Sequence, residues 1–166
     1  MTEGKPAQAP RLHEADLCGQ LAAAAEAFFA AHAESPFGSA RVEVFGTGDA
    51  ALRRSDLRFY GRDGKAALCG EVKLPGTPEG RSPYDDDLVN DAHHKADNAG
   101  IRFFFTWNVN EFVLWDRQKW DVPLLERRVK WWLPKLNLTQ PADAARPDVL
   151  RHLKDEFLPA LLTDLG

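Results

Sequence analysis

Three side chains in this sequence have the types and spacing to do chemistry together: Asp56, Glu71 and Lys73. They lie at the outer ends of two short segments, Asp56–Tyr60 and Ala66–Lys73. The first alternates polar and apolar residues, as a half-buried strand does, and the second stays small and apolar until its charged end. Between them, Asp63-Gly64 predicts a two-residue hairpin turn, because glycine tolerates the positive φ that such turns demand. With those two residues at the centre, Arg62 faces Lys65 and Asp56 falls opposite Glu71 on one face of the sheet. Opposed side chains in an antiparallel pair have Cβ atoms ~5 Å apart, where like charges repel. Lys73, two residues beyond Glu71, shares that face, and Val72 points to the other. Hard cations such as Mg²⁺ bind oxygen, usually one or two carboxylates plus phosphate oxygens. A divalent ion would therefore relieve the repulsion, and the expected chemistry is metal-assisted work on a phosphate.

The elements that must position these groups follow from the rest of the chain. With 166 residues, 44% hydrophobic and 28% charged, the composition is that of a globular domain with room for a sizeable core. Residues 1–12 read as a disordered leader. Leucine, alanine and phenylalanine recur at helical spacing from about Leu12 to Ala33. Ser35–Ser39 breaks that helix, Arg41–Gly46 alternates as a strand, and Gly46–Ala51 reads as a loop. Three prolines and two glycines in Leu74–Pro83 exclude regular structure. Asp85-Asp86-Asp87 then opens a helix, where negative charge suits the macrodipole. That helix runs to about Ala99 with an apolar stripe of Leu88, Ala92, Ala96 and Ala99, and Gly100 ends it. His93-His94 is not a transition-metal pair, since adjacent helical residues point about 100° apart. Ile101–Trp107 is nearly all apolar, as a strand buried on both faces would be. Asn108–Asn110 turns it into a further strand, Glu111–Asp116.

Beyond Asp116 the pattern is less regular. Leu124–Leu133 mixes basic and aromatic residues; such a mixture can grip a nucleic-acid backbone with stacking support, although tryptophans are more often core. Asp143–Leu165 carries an amphipathic helical pattern that either closes the core or joins a further domain.

Composition also excludes classes. No apolar run approaches the ~20 residues of a membrane span, and Met1–Pro6 lacks the apolar stretch of a secretory signal. Cys18 and Cys69, isolated in apolar contexts, read as buried thiols of a reducing cytoplasm. A net charge of −4 argues against a protein that coats nucleic acid by bulk electrostatics.

Asp56 followed by Glu71-Val72-Lys73, with an intervening hairpin and a following helix, resembles the signature of the PD-(D/E)xK nuclease superfamily. Ser55 stands where the naming proline would be. Phe105-Thr106-Trp107-Asn108 and the strand ending Leu114-Trp115-Asp116 are similar to the corresponding part of restriction-type nuclease domains, so the likeness covers roughly Glu14–Asp116. The resemblance implies an α/β fold with a restriction-endonuclease-like core, a mixed central sheet in the order α-β-β-β-α-β-β, with an extra C-terminal helix. It implies a core over 13–118 and an extension over 119–166, possible contact with further domains or subunits of a larger restriction or phage-defence protein, and no membrane. The implied activity is Mg²⁺-dependent endonucleolytic hydrolysis of DNA, with Mn²⁺ as a substitute. The implied alternative is an inactive nuclease-like fold that binds nucleic acid or docks a protein.

The same resemblance assigns roles. Asp56 and Glu71 would hold the metal with the backbone carbonyl of Val72, and Lys73 would position or deprotonate the attacking water. Glu26 would be an additional carboxylate from the first helix, or a solvated residue on its outer face. His93 or Lys95 would be the polar residue that this family places beside the site from the second helix. Arg53, Arg54 and Arg81 would contact phosphates, or stand as plain surface charges.

Overall fold

A computed structural model describes residues 14–45, 54–78, 80–133 and 136–165; the side chains of 14–15, 43–45 and 54–56 lie outside that description. The expected leader, the Gly46–Ala51 loop and Arg53 fall outside the described residues.

Six strands form one sheet: β1 (Phe37–Phe45), β2 (Arg54–Gly61), β3 (Ala66–Val72), β4 (Phe103–Trp107), β5 (Phe112–Asp116) and β6 (Arg128–Trp132). Their spatial order is their chain order. Neighbours run antiparallel except β3 and β4, which are parallel. Parallel neighbours need a crossover, and helix α2 (Asp86–Ala99) supplies it. Helix α1 (Glu14–Ala31) precedes the sheet. Helix α3 (Pro147–His152), a π-helical turn (Leu153–Phe157) and helix α4 (Leu158–Leu165) follow it.

Strand alternation sorts the core into two layers. On one face, Leu17, Leu21, Ala25 and Phe29 of α1 pack with Leu57, Phe59, Leu68, Val72, Phe105, Trp107 and Phe112. Val149, Leu153, Phe157, Leu158, Leu161 and Leu162 from the C-terminal helices join that layer. On the other face, Val89, Ala92 and Ala96 of α2 cover Cys69, Phe104, Val113 and Trp115. The segment expected as a 119–166 extension thus contributes β6 to the sheet and α3–α4 to the larger layer.

The hairpin turn differs from the expected two-residue form. The Gly64 amide donates to the Gly61 carbonyl at 2.9 Å, and the Gly61 amide donates to the Lys65 carbonyl at 2.9 Å. Arg62, Asp63 and Gly64 therefore form a three-residue loop, with Gly64 left-handed at φ 84°. Tyr60 then pairs with Ala66, but Phe59 pairs with Leu68, so Ala67 is an extra residue in β3. The longer turn and this bulge offset one another, and Asp56 still pairs with Glu71.

Helix α2 begins and ends where its caps dictate. The Asp85 carboxylate accepts the Leu88 amide at 3.2 Å, and Gly100 sits at φ 70° with its amide donating to Ala96 and Asp97 carbonyls. Its buried stripe is Leu88, Val89, Ala92 and Ala96; Ala99, expected within it, is exposed because the chain is already turning at Gly100. Strand β1 begins at Phe37, inside the stretch expected to be irregular. No helix among the described residues is long and apolar enough to cross a membrane.

Candidate active site

The C-terminal end of β3 carries the charged groups. Glu71 and Lys73 alternate with Val72, whose buried side chain faces α1, so both charges stand on the α2 face. The Lys73 amide donates to the Trp107 carbonyl at 2.8 Å. That bond carries the β3–β4 ladder one residue past the strand and keeps Lys73 extended on the Glu71 side. Lys73 Nζ lies 3.5 Å from Glu71 Oε2. Lys95 Nζ, from the third turn of α2, donates to Glu71 Oε1.

Glu71 is 1% exposed and Lys73 8%. A carboxylate so enclosed is costly unless it is paired, and here each oxygen faces an ammonium. Two lysines thus hold the charge that a divalent ion would otherwise compensate.

The backbone register places further acids in the same transverse row. Asp56 pairs with Glu71, and Glu43 of β1 pairs with Asp56. Across the other strands the row continues through Thr106 and Val113 to Trp131. Glu43 escaped the sequence reading because nothing in the sequence announces the β1–β2 register. Among the described residues no three His, Cys, Asp or Glu side chains gather into a metal-binding group. A metal at Glu71 would draw its other carboxylates from Asp56 or Glu43, whose side chains lie outside the description.

The remaining candidates separate clearly. Glu26 is exposed on α1, the helix covering the opposite face, and is not brought to Glu71. Arg54 opens β2 with its side chain outside the description, and Arg81 is exposed on the 74–85 connection. Of the two α2 candidates, Lys95 reaches Glu71. His93 instead turns edge-on to Phe104, at 5.7 Å between ring centres, with Nε2 3.5 Å from an Arg127 nitrogen. Burial, and then the charge of Arg127, push the His93 pKa below the usual histidine value.

The 74–85 connection is pinned in place. Thr77 Oγ1 donates to the Leu74 carbonyl at 2.7 Å, Thr106 Oγ1 to Pro83 at 2.6 Å and Asn108 Nδ2 to Gly80 at 3.0 Å. A Cβ on Gly80 would lie 1.9 Å from the Leu74 carbonyl oxygen, so only glycine fits this close approach. The described residues of the connection therefore form a rim between the charged end of β3 and the start of α2.

No family model and no curated protein matches the chain. Among solved structures the chain is similar to the type IIG restriction endonuclease BpuSI, with a TM-score of 0.54 and 9% sequence identity. The likeness covers 98% of this chain and 19% of that one, so the chain spans about a fifth of that protein's length. At this identity the likeness concerns the fold: a six-stranded mixed sheet between helices, the restriction-endonuclease-like architecture.

Proposed function

We propose that this chain is a Mg²⁺-dependent DNA endonuclease domain, a module of a restriction or phage-defence protein. The observation that carries the reading is the convergence at the end of β3: Lys73 Nζ 3.5 Å from Glu71 Oε2, with Asp56 at the paired register position. Oxygen donors of this kind suit a hard cation, with Asp56, Glu71 and the Val72 carbonyl as its ligands. When bound, Mg²⁺, or Mn²⁺ in its place, would polarise the scissile phosphate.

The chain's own residues divide the remaining work. Lys73, held extended by its bond to Trp107, presents a proton donor beside the carboxylate, where it orients the attacking water and balances charge gathering on the phosphate. Lys95 donates to Glu71 Oε1 and competes there with a cation for the carboxylate's charge. In the resting state it keeps the buried acid neutralised.

One observation favours a second reading, in which the same fold binds nucleic acid or docks a protein without cutting. Glu71 is almost wholly enclosed, with both oxygens already engaged by lysines. Nicking of supercoiled plasmid in Mg²⁺ or Mn²⁺ tests the choice. Cleavage abolished in Lys73→Ala and Asp56→Ala, with DNA binding retained, is the expected result. Binding without cleavage by the unaltered chain would establish the second reading, and cleavage that survives both substitutions would discard the site.

A further inference from the structure

Strand β6 is an edge of the sheet, and its side chains are unusually open. Trp131 is 47% exposed and Trp120, in the turn before it, 65%. The expectation that the tryptophans of Leu124–Leu133 belong to the core fails for Trp131, while Trp132 packs against the larger core layer. An edge strand has a neighbour on one side alone, and no described residue of β6 belongs to the layer under α2. Exposed tryptophan is costly in water, and here it is interleaved with cations. Arg128 Cζ lies 4.1 Å from the Trp131 ring centre and 5.5 Å from that of Tyr84. A guanidinium nitrogen of Arg128 also donates to the Tyr84 hydroxyl at 3.3 Å. Arg127 Cζ lies 5.4 Å from the Trp120 ring centre. From Arg117 to Leu133 the chain carries five cations against two acids, in a protein whose net charge is −4.

A backbone irregularity puts these groups on the side of the sheet that matters. Trp131 pairs with Val113 and Arg128 with Trp115, and both partners belong to the layer under α2. Residues three apart in a regular strand point to opposite faces. The register shift between Leu114 and Trp115 makes Val129 an extra residue and turns Arg128 to the same face as Trp131. Lys130 and Trp132 go to the other face, where Trp132 Nε1 donates to Asp164 at 2.9 Å. Trp131 therefore ends the transverse row that begins with the acids and includes Glu71. From β3 to β6 that row spans three strand spacings, about 14 Å.

We propose that Arg128, Trp131 and Tyr84, flanked by Arg127 and Trp120, form a binding strip for unpaired nucleotides of a nucleic-acid strand that runs on to the Glu71–Lys73 site. The strip deepens the nuclease reading and rests on it for the direction of the strand. Flat indole and guanidinium surfaces accept the face of any base, and cations beside them meet the phosphates. A continuous duplex keeps base faces inside its stack, so this surface selects single-stranded or splayed nucleotides. A protein ligand would meet the same exposed tryptophans, but it would not require the cations on their faces.

The test uses the full chain in EDTA, with a fluorescein-labelled oligothymidylate and a labelled duplex of equal length as probes. The expected result is tighter binding of the single strand, weakened roughly ten-fold by Trp131→Ala and largely retained in Trp131→Phe. Arg128→Ala should also lower the dependence of log affinity on log salt by about 0.7. Both positions are exposed, and Trp120→Ala serves as an independent second variant. Equal affinity in Trp131→Ala, Trp120→Ala and the unaltered chain would overturn the inference, as would an equal loss for single strand and duplex. Tryptophan-dependent binding without plasmid cleavage would sink the nuclease reading and leave the strip; cleavage with tryptophan-independent binding would do the reverse.

Discussion

The two faces of β3 are built from alternate residues of one short strand, yet they do different work. Toward α1, Leu68 and Val72 meet an uninterrupted apolar layer, and Gly70 allows Phe105 to lie flat over the backbone, where a Cβ would come within 2.3 Å of its ring. Toward α2, the apolar cover stops at Cys69, and the next two outward residues are Glu71 and Lys73. Burial on the first face is stabilised by removing apolar surface from water. Burial on the second is tolerated because each charge has a partner. The contrast places the larger apolar layer on one side of the sheet and the charged candidate site on the other.

The strongest attempt to break that contrast removes a side chain from the apolar face. Phe105 is fully buried and stacks on Phe112 at 4.7 Å between ring centres. Phe105→Ala should cost roughly 3–5 kcal/mol in denaturant unfolding. A loss much below that range would mean that this layer does not dominate stability.

A smaller effect is expected on the charged face, and it has a distinctive remedy. Glu71→Gln removes the anion that the Lys73 and Lys95 ammoniums share, at a cost of about 3 kcal/mol. Adding Lys95→Met removes one of the two charges that had faced Glu71, so the double variant should regain a large part of that stability. A double variant less stable than Glu71→Gln would show that Lys95 is held by something other than the acid.

The smallest effect sharpens the contrast within α2 itself. Because the His93 pKa is depressed on folding, the unfolded chain takes up the proton first as pH falls. The contribution of His93 is complete above the ordinary histidine value of 6.5 and is lost as pH drops from there through the folded value. His93→Phe, against the Phe104 ring, should flatten that part of a melting-temperature profile. A profile unchanged by the substitution would remove His93 from the packed layer.

How much of this was legible depends on how local each cause is. The common face of Glu71 and Lys73 was legible because strand alternation fixes the face of every second residue. The turn type was not, and the expected register survived because a three-residue loop and the bulge at Ala67 cancel. Helix α2 was legible at both ends, since Asp85 and Gly100 act within one turn of themselves. Its rotation on the sheet was not. His93 and Lys95 flank the same stripe, and only docking against Cys69 and Phe104 sends one to Arg127 and the other to Glu71. The exposure of Trp131 was hidden for the same reason: it follows from β6 lying at the edge and from a shift opposite Trp115.

By itself, then, the amino-acid order determined periodicity, helix ends and the common face of Glu71 and Lys73, because each is set by steric and hydrogen-bonding rules acting over a few residues. That Lys95 rather than His93 joins Lys73 at Glu71, and which aromatic groups share its face, was decided only in the folded molecule. Those outcomes depend on the rotation of a helix against a sheet and on strand neighbours far apart in sequence, and packing of the whole core selects both at once.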